Sequence, residues 1–326
     1  MKNTPLLFST ITATAILSAC GGGGNTDGPT FNGTAASPYR TLQTTIPAPS
    51  YTAGSRELAE FNTLNEQRAK CGFGLLANNE HLKFAAIDHV GYLTEYAQKM
   101  TDAGLSAHGQ FSQYPNGFTG ATPLDRAKYR GYTGRSAGET IAAGLQIPSA
   151  VRVLLSAPYH AGGMLYGYDE VGVSVGQRAV FALGLRDKPQ RADRSILTYP
   201  CQGVTGVATE LYGEIPSPYS PRNLRSNPIG QSIYFLADES APVPAGKKSV
   251  IDITDVVVTE QTTGLPVAML PVQNKDNDVN ALFMGRGFAY VAPDQPLKKL
   301  TLYRVRATVK SNGVTTLVDY TFTTGG

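Results

Sequence analysis

The stretch from Leu82 to Met100 constrains this chain more than any other. Leu82, Ala85, Ala86, His89, Leu93, Tyr96, Ala97 and Met100 recur at intervals of three and four, so they share one face of a helix. A helix with so complete an apolar stripe has to lie on a core. His89 falls within the stripe. A histidine there is expected to be a hydrogen-bonded core residue, with a place in a polar pocket as the second reading.

The rest of the middle third is punctuated in the same way. Ser55 is an N-cap for a helix whose apolar face is Leu58, Phe61 and Leu64 and which stops at Gly72 or Gly74. Thr122-Pro123 opens a short helix reaching about Tyr129. Ser149 caps another, Ala150 to Ser156, which Pro158 is expected to end. Val171, Val173 and Val175 alternate, and with 179–185 they read as a strand hairpin turning near Gln177. Helices followed by a hairpin indicate an α+β layer with an antiparallel sheet.

Beyond about Ser226 the period changes from helix to strand. Segments 249–259, 300–309 and 315–324 are β-branched and alternating, and Ser311-Asn312-Gly313 makes the last two a hairpin. Tyr303, Val305, Ala307 and Val309 share one face, with Arg304, Arg306 and Thr308 on the other. The C-terminal hundred residues therefore read as a β-sandwich. The stretch 189–225 is rich in proline and charge and is read as a connector.

The N-terminus is read as a targeting segment. Lys2 precedes an apolar run too short to span a membrane, ending in Leu17-Ser18-Ala19-Cys20. Those four residues resemble the lipobox of bacterial lipoproteins. The resemblance implies cleavage before Cys20, acylation of Cys20 and a lipid membrane as partner. Gly21 lacks the acidic signal for inner-membrane retention, so the outer membrane is the expected location. An ordinary secreted protein is the other reading. Residues 21–52, opening with four glycines, form a tether with a reach of about 30 Å. The expected division is 1–20 signal, 21–52 tether, 53–188 first folded domain, 189–225 connector and 226–326 second domain.

Three cysteines are present, and with Cys20 acylated only Cys71 and Cys201 remain to pair in an oxidising compartment. Net charge is +3 with no basic cluster, which argues against a nucleic-acid partner.

Three side chains at element ends could carry chemistry: His108, Glu139 and His160. They are too far apart in sequence for a local motif such as H-E-x-x-H. Two imidazoles and a carboxylate could hold Zn²⁺ or another divalent cation, act as general acid and base, or pin two loops together. No nucleophile elbow G-x-S-x-G is present. Ser156, close to His160, is expected to satisfy a helix C-terminus rather than act as a nucleophile. Gly131 to Gly138 lacks the Lys-Ser/Thr of a phosphate loop.

Taken in order, several short motifs between residues 55 and 187 resemble the bacterial branch of the CAP (SCP) superfamily. They are Asn65-Glu66-Gln67-Arg68, His81-Leu82 leading to His89, Ala107-His108, Gly138-Glu139-Thr140-Ile141-Ala142, Ser156-Ala157-Pro158-Tyr159-His160 and Val171-Gly172-Val173. The resemblance implies an α-β-α sandwich with a surface cleft and a His/Glu/Glu/His tetrad, of which His108, Glu139 and His160 match three members. No second glutamate is evident between Glu139 and His160. Pro296-Leu297, Tyr303 and the closing Thr321-Phe322-Thr323-Thr324-Gly325 resemble bacterial Ig-like domains, with Tyr303 as a tyrosine corner or a plain core tyrosine. The functional expectations are, in order, a non-enzymatic module binding a lipid, glycan or protein, a divalent-metal-dependent hydrolase or peptidase using His108, Glu139 and His160, and a structural envelope protein.

Overall fold

The long apolar stripe does form a helix, and the sheet it lies on organises the first half of the molecule. The computed structural model describes residues 37–143, 149–192, 196–211, 213–240 and 242–326. The expected signal segment, Cys20 and residues 21–36 lie outside the described residues. Ser37–Gly326 make up one compact unit of mixed α+β architecture.

Helix α1 (Arg56–Cys71) starts at Ser55, whose hydroxyl accepts the Leu58 N–H, and ends at Gly72 in the left-handed region. Strand β1 (Ala77–Asn78) leads into α2 (Glu80–Asp102), capped by the Asn79 side chain. Helix α3 (Pro123–Tyr129) opens with a full capping box between Thr122 and Asp125. Strand β2 (Ser136–Ala143), α4 (Ala150–Ser156), α5 (Pro158–Leu165) and the hairpin β3 (Glu170–Val175) and β4 (Arg178–Leu185) complete this half. The sheet order is β1-β3-β4-β2, so β2 is an edge strand.

Residues of β4 alternate between two cores. Ala179, Phe181 and Leu183 join Phe61, Leu64, Leu154, Leu155 and Met164 from α1, α4 and α5. Val180 and Ala182 join Leu82, Ala86, Tyr92 and Leu93 from α2 and Ala127 from α3. The sheet is thus buried on both faces, which is why β4 reads as a continuous apolar run. Gly172 lets α2 come close, since a Cβ there would lie 2.0 Å from the Lys83 amide nitrogen.

Pro158 is where the sequence reading and the structure part. It ends α4, as expected, but it also occupies the first turn of α5, where its missing N–H costs nothing. His160 is therefore held on a helix rather than in a loop.

Residues 189–225 carry β5 (Ile196–Tyr199) and β6 (Glu210–Leu211), and Cys201 in this stretch is disulfide-bonded to Cys71 at the end of α1. Strand β6 pairs with β7 (Ile229–Gly230). Strand β8 (Ile233–Ala237) is flanked by β5 and by β11 (Phe288–Val291), which also pairs with β10 (Gln273–Asn274). A second sheet is β13-β12-β9, from β9 (Ile251–Glu260), β12 (Leu302–Ser311) and β13 (Val314–Thr323). The β12–β13 turn places Asn312 and Gly313 at positive φ, as a two-residue hairpin of this twist requires. Tyr303, Val305, Ala307 and Val309 are buried, and the Tyr303 hydroxyl accepts the Lys298 N–H at 2.9 Å.

The chain before residue 53 is not free from Ser37 onward. Arg40 pairs with the buried Asp169, the Leu75 N–H donates to the carbonyl of Gln43, and Tyr51 is buried with its hydroxyl accepting the Val173 N–H at 2.8 Å. Small and polar composition suggested a tether there, but a few long side chains suffice to dock it. Among the described residues no helix is long and apolar enough to cross a membrane.

Candidate functional site

Glu139 sits on the edge strand β2, on the face turned to α2 and α3, and its side chain is only 2% exposed. Three groups surround its carboxylate. Oε1 lies 3.1 Å from His108 Nδ1 and 3.5 Å from His89 Nε2, and Oε2 accepts from Arg126 Nη2 at 2.7 Å. Burial pushes this carboxyl up, but His89, His108 and Arg126 outweigh it and hold it below the usual range. Arg126, buried on α3, also donates to the carbonyl of His108 at 3.2 Å, so one guanidinium fixes both the loop and the carboxylate.

His89 is fully buried on α2. Its Nε2 donates to the Ala107 carbonyl at 2.9 Å, and Gln110 Nε2 donates to its Nδ1 at 3.2 Å. Burial lowers its pKa to about 4. It is a hydrogen-bonded core histidine that also closes one side of the Glu139 pocket.

His160, in the first turn of α5, meets a carboxylate the sequence did not single out. Glu214 Oε1 lies 2.8 Å from His160 Nδ1 and accepts the backbone N–H of Tyr159 at 2.9 Å and of His160 at 3.1 Å. The residue before α5, Ala157, has no side chain to cap it. Glu214 supplies the missing acceptor from outside the helix, where the positive helix end also favours it. Glu214 is buried, its Oε2 has no partner among the described residues, and desolvation raises its pKa despite these bonds. The uncapped Ala157-Pro158 start was the signal that an acceptor had to come from elsewhere. Arg126 gave no comparable signal.

The structure brings His108 beside Glu139 on the edge strand β2 and beside His160 on α5. The His108 and His160 rings have centroids 6.0 Å apart. Their side chains are 41% and 16% exposed, so the site reaches solvent. Each ring is held through Nδ1 by a buried carboxylate, and neither Nε2 has a hydrogen-bond partner among the described residues. With Nδ1 turned to a carboxylate, Nε2 is the ring nitrogen each histidine leaves for a ligand. Ser156 donates to the Val153 carbonyl at 2.7 Å and is not available as a nucleophile.

A resident catalytic zinc does not fit this donor set. His108 and His160 would supply two ligands where three are needed, and each carboxylate lies on the Nδ1 side of its ring rather than beside the unpartnered Nε2. Among the described residues no group of three or more metal-ligating side chains is placed to hold an ion.

No family model and no curated protein matches the chain. Among solved structures, an outer surface protein from Borrelia burgdorferi is similar at 20% identity with a TM-score of 0.32, over 42% of this chain and 96% of that one.

Proposed function

We propose that this protein is a lipid-anchored envelope module of the CAP kind with an Ig-like C-terminal part, which binds a lipid, glycan or protein ligand without catalysing a reaction on it. The observation that carries the reading is the pair of imidazoles 6.0 Å apart, each oriented by its own buried carboxylate and each with Nε2 unpartnered among the described residues. Two fixed ring nitrogens at a solvent-reached site suit recognition of a polar ligand by hydrogen bonds. The absence of an activated nucleophile among these residues argues against covalent catalysis.

The tetrad reading gains from Glu214, a second buried glutamate hydrogen-bonded to one of the two histidines. Helices on both faces of the β1-β3-β4-β2 sheet support the α-β-α sandwich, and the Tyr303 hydroxyl on the Lys298 amide supports the Ig-like reading. The anchor rests on the lipobox-like residues up to Cys20 alone, and the outer-membrane location on Gly21.

The test is histidine-ring NMR of the folded protein titrated with a fatty acid, a lysophospholipid and a soluble oligosaccharide. Saturable shifts of the His108 and His160 signals are expected, with the remaining ring no longer shifting in His108→Ala or in His160→Ala. Absence of any such shift, or a remaining ring that shifts as in the wild type in both variants, refutes the reading. Zn²⁺ titration checks the hydrolase alternative, which requires a saturable site abolished by the same two variants.

A further inference from the structure

Helix α5 turns a second face away from His160. Tyr159, Gly162, Gly163 and Tyr166 fall at the helical spacing of three, four and seven, and all four line a cavity of about 630 Å³. The opposite wall comes from the C-terminal half and includes Glu239, Phe283, Arg286 and Phe288. His108, Glu139 and His160 do not line it. Its volume is that of a small-molecule site.

The walls mix part-exposed aromatic rings with charged groups. Tyr166 is 40% and Phe283 59% exposed, and Phe283 packs at 5.8 Å from the Tyr159 ring. The Tyr166 hydroxyl has no hydrogen-bond partner among the described residues. Burial first, and then the Glu239 charge, push its phenol up, so Glu239 is near enough to be felt. Glu239 accepts the Gly287 N–H through Oε1 at 2.9 Å, which leaves Oε2 without a partner among the described residues. Arg286 donates from Nη2 to the Glu239 carbonyl, and its other donors have no partner among the described residues.

Gly162 adds an independent observation. A Cβ at that position would meet only the Phe288 ring, at 3.8 and 3.9 Å, which is ordinary contact. Packing would accept alanine, and a glycine inside a helix weakens it relative to alanine. The glycine instead leaves the cavity floor flat.

We infer that this cavity is a second binding site, for a short oligosaccharide. The flat apolar face of a sugar ring stacks on exposed Tyr166 and Phe283, and vicinal hydroxyls meet the bidentate donors of Arg286 and the free oxygen of Glu239. An acyl chain would need an unbroken apolar wall, which these two charged residues interrupt.

The experiment is calorimetric titration of the folded protein with maltotriose and with tri-N-acetylchitotriose, alongside a proline-rich peptide. One of the sugars is expected to bind saturably. Tyr166→Ala should weaken it at least about tenfold with little change in melting temperature. Gly162→Ala should weaken it while raising the melting temperature, opposite signs that a structural glycine would not give. Binding should survive His108→Ala and His160→Ala. No saturable sugar binding up to about 20 mM overturns the inference, as does preference for the peptide. Sugar binding lost in the histidine variants but kept in Tyr166→Ala overturns it too, while leaving the His/Glu reading standing.

Discussion

Glu214 Oε1 lies 2.8 Å from His160 Nδ1 while accepting the two backbone N–H groups that open α5. One buried carboxylate thus caps the helix and orients the ring the helix carries. The position of His160 and the stability of α5 are coupled through this residue.

Glu214→Ala removes the cap and leaves two amides unsatisfied, so a loss of about 2–3 kcal/mol in urea unfolding is expected. Glu214→Gln keeps an acceptor and costs less. The pH dependence separates charge from cap. Because burial raises the folded-state pKa of Glu214, its contribution is full below the unfolded carboxyl value and is lost as pH rises through the folded value. Glu214→Gln should therefore gain on the wild type as pH increases above the usual carboxyl range. A gap that does not change with pH contradicts this.

His89 works in the other direction. Its pKa falls from 6.5 to about 4 on folding, so the neutral ring stabilises the native state above 6.5. About 3 kcal/mol should be lost as pH drops from 6.5 towards 4. Glu139, held below the carboxyl range, loses its contribution in the same sense at still lower pH. His89→Gln should flatten the upper part of the profile in a series of urea melts from about pH 7 to about pH 4.

Among the described residues, the completely buried Arg68 guanidinium bonds only to carbonyls. It donates to Gly74 and Phe73 at 2.9 Å, to Met164 at 2.6 Å and to Tyr166 at 3.0 Å. It ties the end of α1 to the end of α5. A lysine cannot span four acceptors, so Arg68→Lys should cost about 3 kcal/mol or more by thermal unfolding. A variant as stable as the wild type would show that water replaces these bonds.

The bond between Cys71 and Cys201 closes a loop with a sequence separation of 130. In the chain-entropy account such a cross-link contributes up to about 5 kcal/mol. Cys71→Ser with Cys201→Ser should lower the urea midpoint accordingly, with α1 still helical by far-ultraviolet circular dichroism. An unchanged midpoint would mean the cross-link adds nothing to the stability of the native state.

Local signals in the sequence were sufficient for α1 to α4 and for the β3–β4 and β12–β13 hairpins. Ser55, Thr122 and Ser149 are side-chain caps, and capping is decided within four residues. The alternation of Val171, Val173 and Val175 and the turn at Asn312-Gly313 are equally local. The proximity of His108 to Glu139 and to His160 follows from no spacing rule in the sequence. Tertiary structure alone decided that Pro158 starts a helix as well as ending one, that Arg126 neutralises Glu139, and that Glu214 answers His160 across 54 residues of chain. A buried polar group needs a partner, but nothing in the sequence says from which distant segment it comes. That depends on how the sheets and helix layers close on one another, and so the fold was written in local patterns while the second carboxylate of the site was not.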